Sequence, residues 1–156
     1  MTLSKRKFGR TGWDVSAIGF GAWAIGGSWG GVAEDDAKAA LNAALDSGVN
    51  FIDTADVYGD GRSKRIIRDV LRQRGGERPI VATKLGRRLD PHVTSGYTNR
   101  RELAGFIDRS LSNLGVANRT SAALPSAVSG RKAIAYRMLY QLCGHNVGTK
   151  TGVPDE

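Results

Sequence analysis

The chain has 156 residues, 40% hydrophobic and 24% charged, a balance that builds a globular core and excludes a low-complexity or wholly disordered chain. No run approaches the ~18 apolar residues of a membrane-spanning helix, and the basic stretch Met1 to Arg10 lacks the apolar centre of a secretion signal. The formal net charge is +8, but the cations are scattered (Lys5, Arg6, Lys7, Arg62, Lys64, Arg65, Arg68, Arg72, Arg74, Arg87, Arg88), so a solvated basic surface is expected, with no nucleic acid or membrane partner.

Arg6 to Ser16 reads as a hairpin with Gly9-Arg10-Thr11-Gly12 as its turn. Ala17 to Gly21 is a short apolar strand, followed by a glycine-rich loop from Gly26 to Gly31. Glu34-Asp35-Asp36 opens a helix, where acids complement the helix dipole. Ala37, Ala40, Leu41, Ala44 and Leu45 recur at helical spacing, and Gly48 caps the run. Val49 to Asp53 is the next strand. Ser63 starts a helix with Ile66, Ile67, Val70 and Leu71 on one face, stopped by Gly75-Gly76. Pro79 to Lys84 is the third strand, and Leu85 to Thr98 a loop. Thr98 or Asn99 caps a third helix, with Glu102 placed for a capping box. Leu103, Phe106, Ile107, Leu111 and Leu114 are its apolar face, and Gly115 closes it.

Short buried strands alternating with amphipathic helices predict parallel pairing with right-handed crossovers. The repeat of roughly 30 residues is the size of one βαβ unit. An eight-stranded barrel and an open doubly wound sheet compete. The dinucleotide fingerprint that marks the second begins at Gly19-Phe20-Gly21, but Ala24 stands where it needs its third glycine. The barrel is favoured. Barrel chemistry collects at the C-terminal ends of strands, and Gly21, Asp53 and Lys84 fall at such ends, with Tyr58 just beyond one.

Asp53, Tyr58 and Lys84 make a coherent set. A free phenol, with a pKa near ~10, shares its proton poorly at neutral pH. A neighbouring ammonium favours the phenolate, and a carboxylate keeps that ammonium charged. Such a phenol can protonate a carbonyl oxygen as the carbon receives a hydride.

Phe51-Ile52-Asp53-Thr54-Ala55-Asp56-Val57-Tyr58-Gly59, with Ser63 four residues on, resembles the signature of the aldo-keto reductases. So do Phe8-Gly9-Arg10-Thr11-Gly12, Ile18-Gly19-Phe20-Gly21-Ala22-Trp23 and Val81-Ala82-Thr83-Lys84, and the likeness runs from about Arg6 to Val116. The resemblance implies a (β/α)8 TIM barrel, NADPH as hydride donor and a small-molecule aldehyde or ketone as substrate. It implies Asp53, Tyr58 and Lys84 as catalytic residues, with Tyr58 the acid. Gly21, Ala22, Trp23 and Asp53 match the cofactor-lining positions, and some of the scattered cations fall near a phosphorylated cofactor. No metal site is expected. Trp29 is either an apolar wall or an ordinary exposed loop residue. Two departures touch the second helix: the family has Ser-Glu where this chain has Ser63-Lys64, and commonly a glycine where Arg68 stands.

Beyond Val116 the family continues into a strand of the form Asp-Leu-x-x-Leu-His, whose histidine is its fourth catalytic residue. Here the chain reads Ala117-Asn118-Arg119-Thr120-Ser121. His92 and His145 are the histidines that could take that role. The only sustained period in the remainder lies between Ala133 and Leu142. Cys143, the lone cysteine, forms no intrachain disulfide and fits a reducing cytoplasm. The expectation is a partial barrel: hairpin, about three βα units, then an irregular C-terminal segment. Residues 1–116 form the reductase part and residues 117–156 an aberrant or poorly ordered tail, consistent with a frameshift near Val116. A truncated, weak or inactive NADPH-dependent carbonyl oxidoreductase is expected, with self-association through unpaired strand edges. The alternative is a non-catalytic binding or regulatory fragment of the same barrel.

Overall fold

Lys5–Lys7 (β1) and Asp14–Ser16 (β2) pair as the predicted antiparallel hairpin, with Lys5 opposite Ser16 and Lys7 opposite Asp14. This computed structural model describes residues 3–9, 11–27, 30–85, 100–116 and 137–141. The third strand, Phe20–Gly21 (β3), is shorter than the predicted Ala17 to Gly21. Its first residues are drawn to the hairpin side: the Ala17 amide bonds the Ser4 carbonyl and Ser16 Oγ donates to the Ile18 carbonyl.

Helix Glu34–Asp46 (α1) leads into Phe51–Ala55 (β4), helix Arg62–Gln73 (α2), Ile80–Leu85 (β5) and helix Arg100–Leu114 (α3). β3, β4 and β5 are parallel neighbours in chain order. That is the order in which the strands of a β/α barrel begin, and the sequence period is the reason for it. Ile52 and Val81 point to the helix side and join one core with Leu41 of α1 and Ile66, Ile67, Val70 and Leu71 of α2. Ile107 and Leu111 of α3 are buried beside them. Asp53, Ala55, Ala82 and Lys84 fall on the opposite face by strand alternation.

The strand boundaries differ from the sequence reading in one way that matters. Asp53 is not the last residue of its strand. The ladder runs on to Ala55, which pairs with Lys84, while Asp53 pairs with Ala82. The acid therefore sits two residues below the lysine on the shared face, within reach of its four-carbon arm. α2 begins at Arg62 and ends at Gln73, short of the glycine pair that was expected to stop it.

Lys64 corrects the expectation of a solvated charge. It is fully buried, and its Nζ donates to Ser110 Oγ of α3 at 2.6 Å. Its place on α2 turns it toward α3 and away from water, where the family's acid would have stood. Ser110→Ala is expected to cost about 1–2 kcal/mol, because a buried ammonium loses an acceptor. A lower urea midpoint at unchanged slope would register it; an unmoved midpoint would show that Ser110 contributes nothing.

Within the C-terminal segment, Arg137–Gln141 (β6) lies antiparallel on the outer edge of β5, Met138 opposite Lys84 and Tyr140 opposite Ala82. The sheet order is β3-β4-β5-β6. The predicted capping residues Thr98 and Asn99, the loop from residue 86, and His92, His145 and Trp29 lie outside the described residues. Among the described residues no helix is long and apolar enough to cross a membrane.

Candidate active site

The loop from β4 to α2 carries Tyr58. Its amide reaches the Ala55 carbonyl at 3.5 Å, and its own carbonyl accepts from the Ser63 amide at 3.3 Å, so the phenol is held just above the end of β4. Gly59, Asp60 and Gly61 then take three successive positive φ values of 59°, 49° and 87°. Asp60 is the one non-glycine, a short polar residue of the kind that tolerates this region. Arg109 of α3 fixes it, Nη2 donating to Asp60 Oδ1 at 2.8 Å. The turn packs so closely on Gly26 that a Cβ there would lie 2.9 Å from the Tyr58 carbonyl carbon, and one on Gly59 would overlap the Gly26 carbonyl.

A buried relay supports the same corner. Ser63 Oγ donates to the Ala22 carbonyl at 2.9 Å and lies 2.9 Å from Thr54 Oγ1. A hydroxyl has one proton, so Thr54 donates to Ser63. Strand β4, helix α2 and the segment after β3 are thus tied by one chain of hydrogen bonds.

Above it, Lys84 pairs with Asp53, Nζ donating to Oδ1. The same Nζ donates to Tyr58 Oη and to the Thr54 carbonyl, each at 3.4 Å, and stands 5.4 Å from the phenol ring centroid. Side-chain exposure is 19% for Lys84 and 32% for Asp53, so the pair sits in a half-open mouth where it is neither fully hydrated nor dry. All three predicted catalytic residues are brought together. An ammonium that donates to the phenol oxygen leaves the phenolic proton free to go elsewhere. The 3.4 Å separation is long for a strong bond; such contacts commonly tighten when substrate closes the site.

The predicted cofactor-lining residues converge on this corner. Gly21 pairs with Asp53 across the ladder, and the Ala22 amide bonds the Asp53 carbonyl at 2.8 Å. Ala22 is buried, while Trp23 is 45% exposed with its ring centroid 6.4 Å from that of Tyr58. A Cβ on Gly21 would meet nothing, so open ground lies beside the acid, flanked by an exposed indole. A flat, polar-edged ring such as a nicotinamide fits those residues. The phosphate end has less support: Arg62 is spent on the Ile25 and Val32 carbonyls, Arg65 on the Asp60 carbonyl and Asn113, and Arg74 on Asp46 and Asn42. Among the described residues no His, Cys, Asp and Glu cluster forms a metal site. A cleft of about 110 Å³ lined by Leu45, Asn50, Leu71 and Pro79 opens at the other end of the strands, away from this chemistry.

Sequence reasoning found the acid, phenol and ammonium but missed Arg62, Arg109 and the Thr54–Ser63 relay. Only the glycines around Tyr58 hinted at a tightly packed turn.

The sequence profile of the aldo/keto reductase family matches residues 17–120. Pyridoxal 4-dehydrogenase of Microbacterium luteolum is 43% identical over 83 residues, 53% of this chain and 24% of that protein. L-galactose dehydrogenase of Arabidopsis thaliana is 40% identical over 109 residues, 69% of this chain and 34% of that protein. Among solved structures, the aldo-keto reductase AKR11C1 of Bacillus halodurans superposes with a TM-score of 0.57 at 27% identity, covering 73% of this chain and 37% of that one. The chain spans about a quarter to a third of the length of the curated relatives it matches.

Proposed function

Because the chain belongs to the aldo/keto reductase family, we propose that it is an NADPH-dependent carbonyl oxidoreductase whose proton donor is Tyr58, tuned by Lys84 and Asp53. The substrate is a small aldehyde or ketone. The observation that carries the reading is the single ammonium of Lys84 shared between the Asp53 carboxylate and the Tyr58 oxygen.

Gly21, Ala22, Trp23 and Asp53 would hold NADPH, which would supply a hydride for the carbonyl carbon when bound. Tyr58 gives its proton to the carbonyl oxygen. Lys84, donating to Tyr58 Oη, favours the negative charge that remains, and Asp53 holds the ammonium in place. Gly21 leaves room for the cofactor beside Asp53, Ala22 fixes the strand that presents it, and Trp23 offers an apolar face. Residues 1–116 carry the chemistry, the outer strands β3 and β6 favour self-association, and one cysteine fits a reducing cytoplasm.

The mouth formed by the described residues is half-open, so water competes for Lys84 and Asp53. Slow turnover and weak cofactor binding follow. Titrating the monodisperse chain with NADPH, followed by nicotinamide fluorescence, is expected to give an affinity weaker than micromolar. Micromolar affinity would contradict the weak binding. A steeply salt-dependent affinity for nucleic acid, with no response to NADPH, would contradict the function itself.

A further inference from the structure

We propose that Arg62 is a positioning residue: its guanidinium ties both Ile25 and Val32 to the turn that carries Tyr58, so that the phenol and the segment bearing Trp23 are held as one wall of the mouth. The inference rests on the reading of the mouth given above.

Arg62 is the first residue of α2. Its backbone amide bonds the Gly59 carbonyl at 2.9 Å, which fixes it to the Tyr58 turn. Its side chain then crosses to the preceding segment, where Nη1 donates to the Ile25 carbonyl at 2.6 Å and Nη2 to the Val32 carbonyl at 2.7 Å. The two acceptors belong to opposite ends of the glycine-rich stretch. One lies within the short 3-10 turn Ala24–Gly26 that comes directly after Trp23. The other precedes α1, whose N-cap, Ala33, has no side-chain hydrogen bond to fix it. A Cβ on Gly27 would stand 3.3 Å from Nη1, so the backbone passes close to the guanidinium. Two carbonyls met by two nitrogens of one planar fork suit arginine and not lysine, whose ammonium is a single point on a flexible stem. The half-buried carbonyl of Ile25 also needs a donor, since unpaired buried backbone groups are costly. Among the described residues the two walls also meet where Gly26 approaches Gly59, where Trp23 faces Tyr58 and where Ser63 Oγ donates to the Ala22 carbonyl, but none of these reaches Val32.

Amide hydrogen exchange on the full chain tests this. Arg62→Ala is expected to speed exchange roughly tenfold at Gly26, Gly27 and Tyr58 to Gly61, the size of effect that a lost charged-donor bond gives, while amides of α1 and β4 that open without parting the two walls stay near the parent's. Millimolar guanidinium should restore the protection. Arg62→Lys should restore it in part at one carbonyl only and serves if the alanine variant folds poorly. Arg65→Ala, whose contacts lie on the far side of the turn, should leave Gly26 and Gly27 unchanged. Unaltered exchange at those glycines, or uniform acceleration through α1 and β4 without guanidinium rescue, would overturn the proposal. Should the exchange pattern hold while Tyr58-dependent turnover is absent, the reading of the site falls and the role of Arg62 stands.

Discussion

Tyr58→Phe is expected to lower the rate of carbonyl reduction by roughly 10²–10⁴-fold, which for a slow parent means a fall to the blank. Phenylalanine keeps the ring and its contact with Trp23, whose centroid is 6.4 Å away, and removes only the oxygen that accepts from Lys84. Cofactor affinity should therefore change little. NADPH consumption with a small aldehyde, followed by absorbance, reads the rate; fluorescence titration of the same samples reads the affinity. A phenylalanine variant as fast as the parent would remove Tyr58 from the chemistry.

Gly59→Val is expected to destabilise the fold by about 3 kcal/mol or more, a sum of backbone strain and overpacking. Gly59 sits at φ 59°, which a β-branched residue adopts only under strain. Its new Cβ would overlap the Gly26 carbonyl and come within 3.0 Å of Arg62 Cβ. Neither neighbour is a flexible side-chain end, so the two loops must part and the Tyr58 turn must move with them. Thermal unfolding would show a midpoint many degrees lower. A midpoint within a degree or two of the parent's would mean that the turn and Gly26 are not packed as described. Gly12→Val is the contrasting case: it is also at positive φ, 77°, but its Cβ would meet nothing, so only the strain is felt.

The parallel β/α order was legible because apolar period and turn residues agree from Ala37 to Gly115. The triad was legible for the same reason: each member falls on or just after a predicted strand. The offset of Asp53 from its strand end was not. Apolar residues mark where a strand is buried, but Ala55 lies beyond an acid and a threonine, and only pairing with Lys84 across the ladder fixes it. Lys64 misled for a related reason. A lysine reads as surface, and nothing local reveals that α3 covers it with Ser110. Arg62 was hidden more deeply, since its acceptors are backbone carbonyls 37 and 30 residues away, and carbonyls carry no residue identity to read. The predicted tail contains strand β6, within the one stretch where a period persisted.

The central claim is that Asp53, Tyr58 and Lys84 act as a unit, with the lysine working through the phenol. A double-mutant cycle on turnover tests it most directly. Groups that serve one step are grossly non-additive. At enzyme concentrations that keep every variant's rate above the blank, Tyr58→Phe and Lys84→Met should each slow NADPH oxidation by a small aldehyde, and the double variant should be no slower than Tyr58→Phe alone. A double variant slower by the product of the two single effects would show the groups acting independently and would contradict the account.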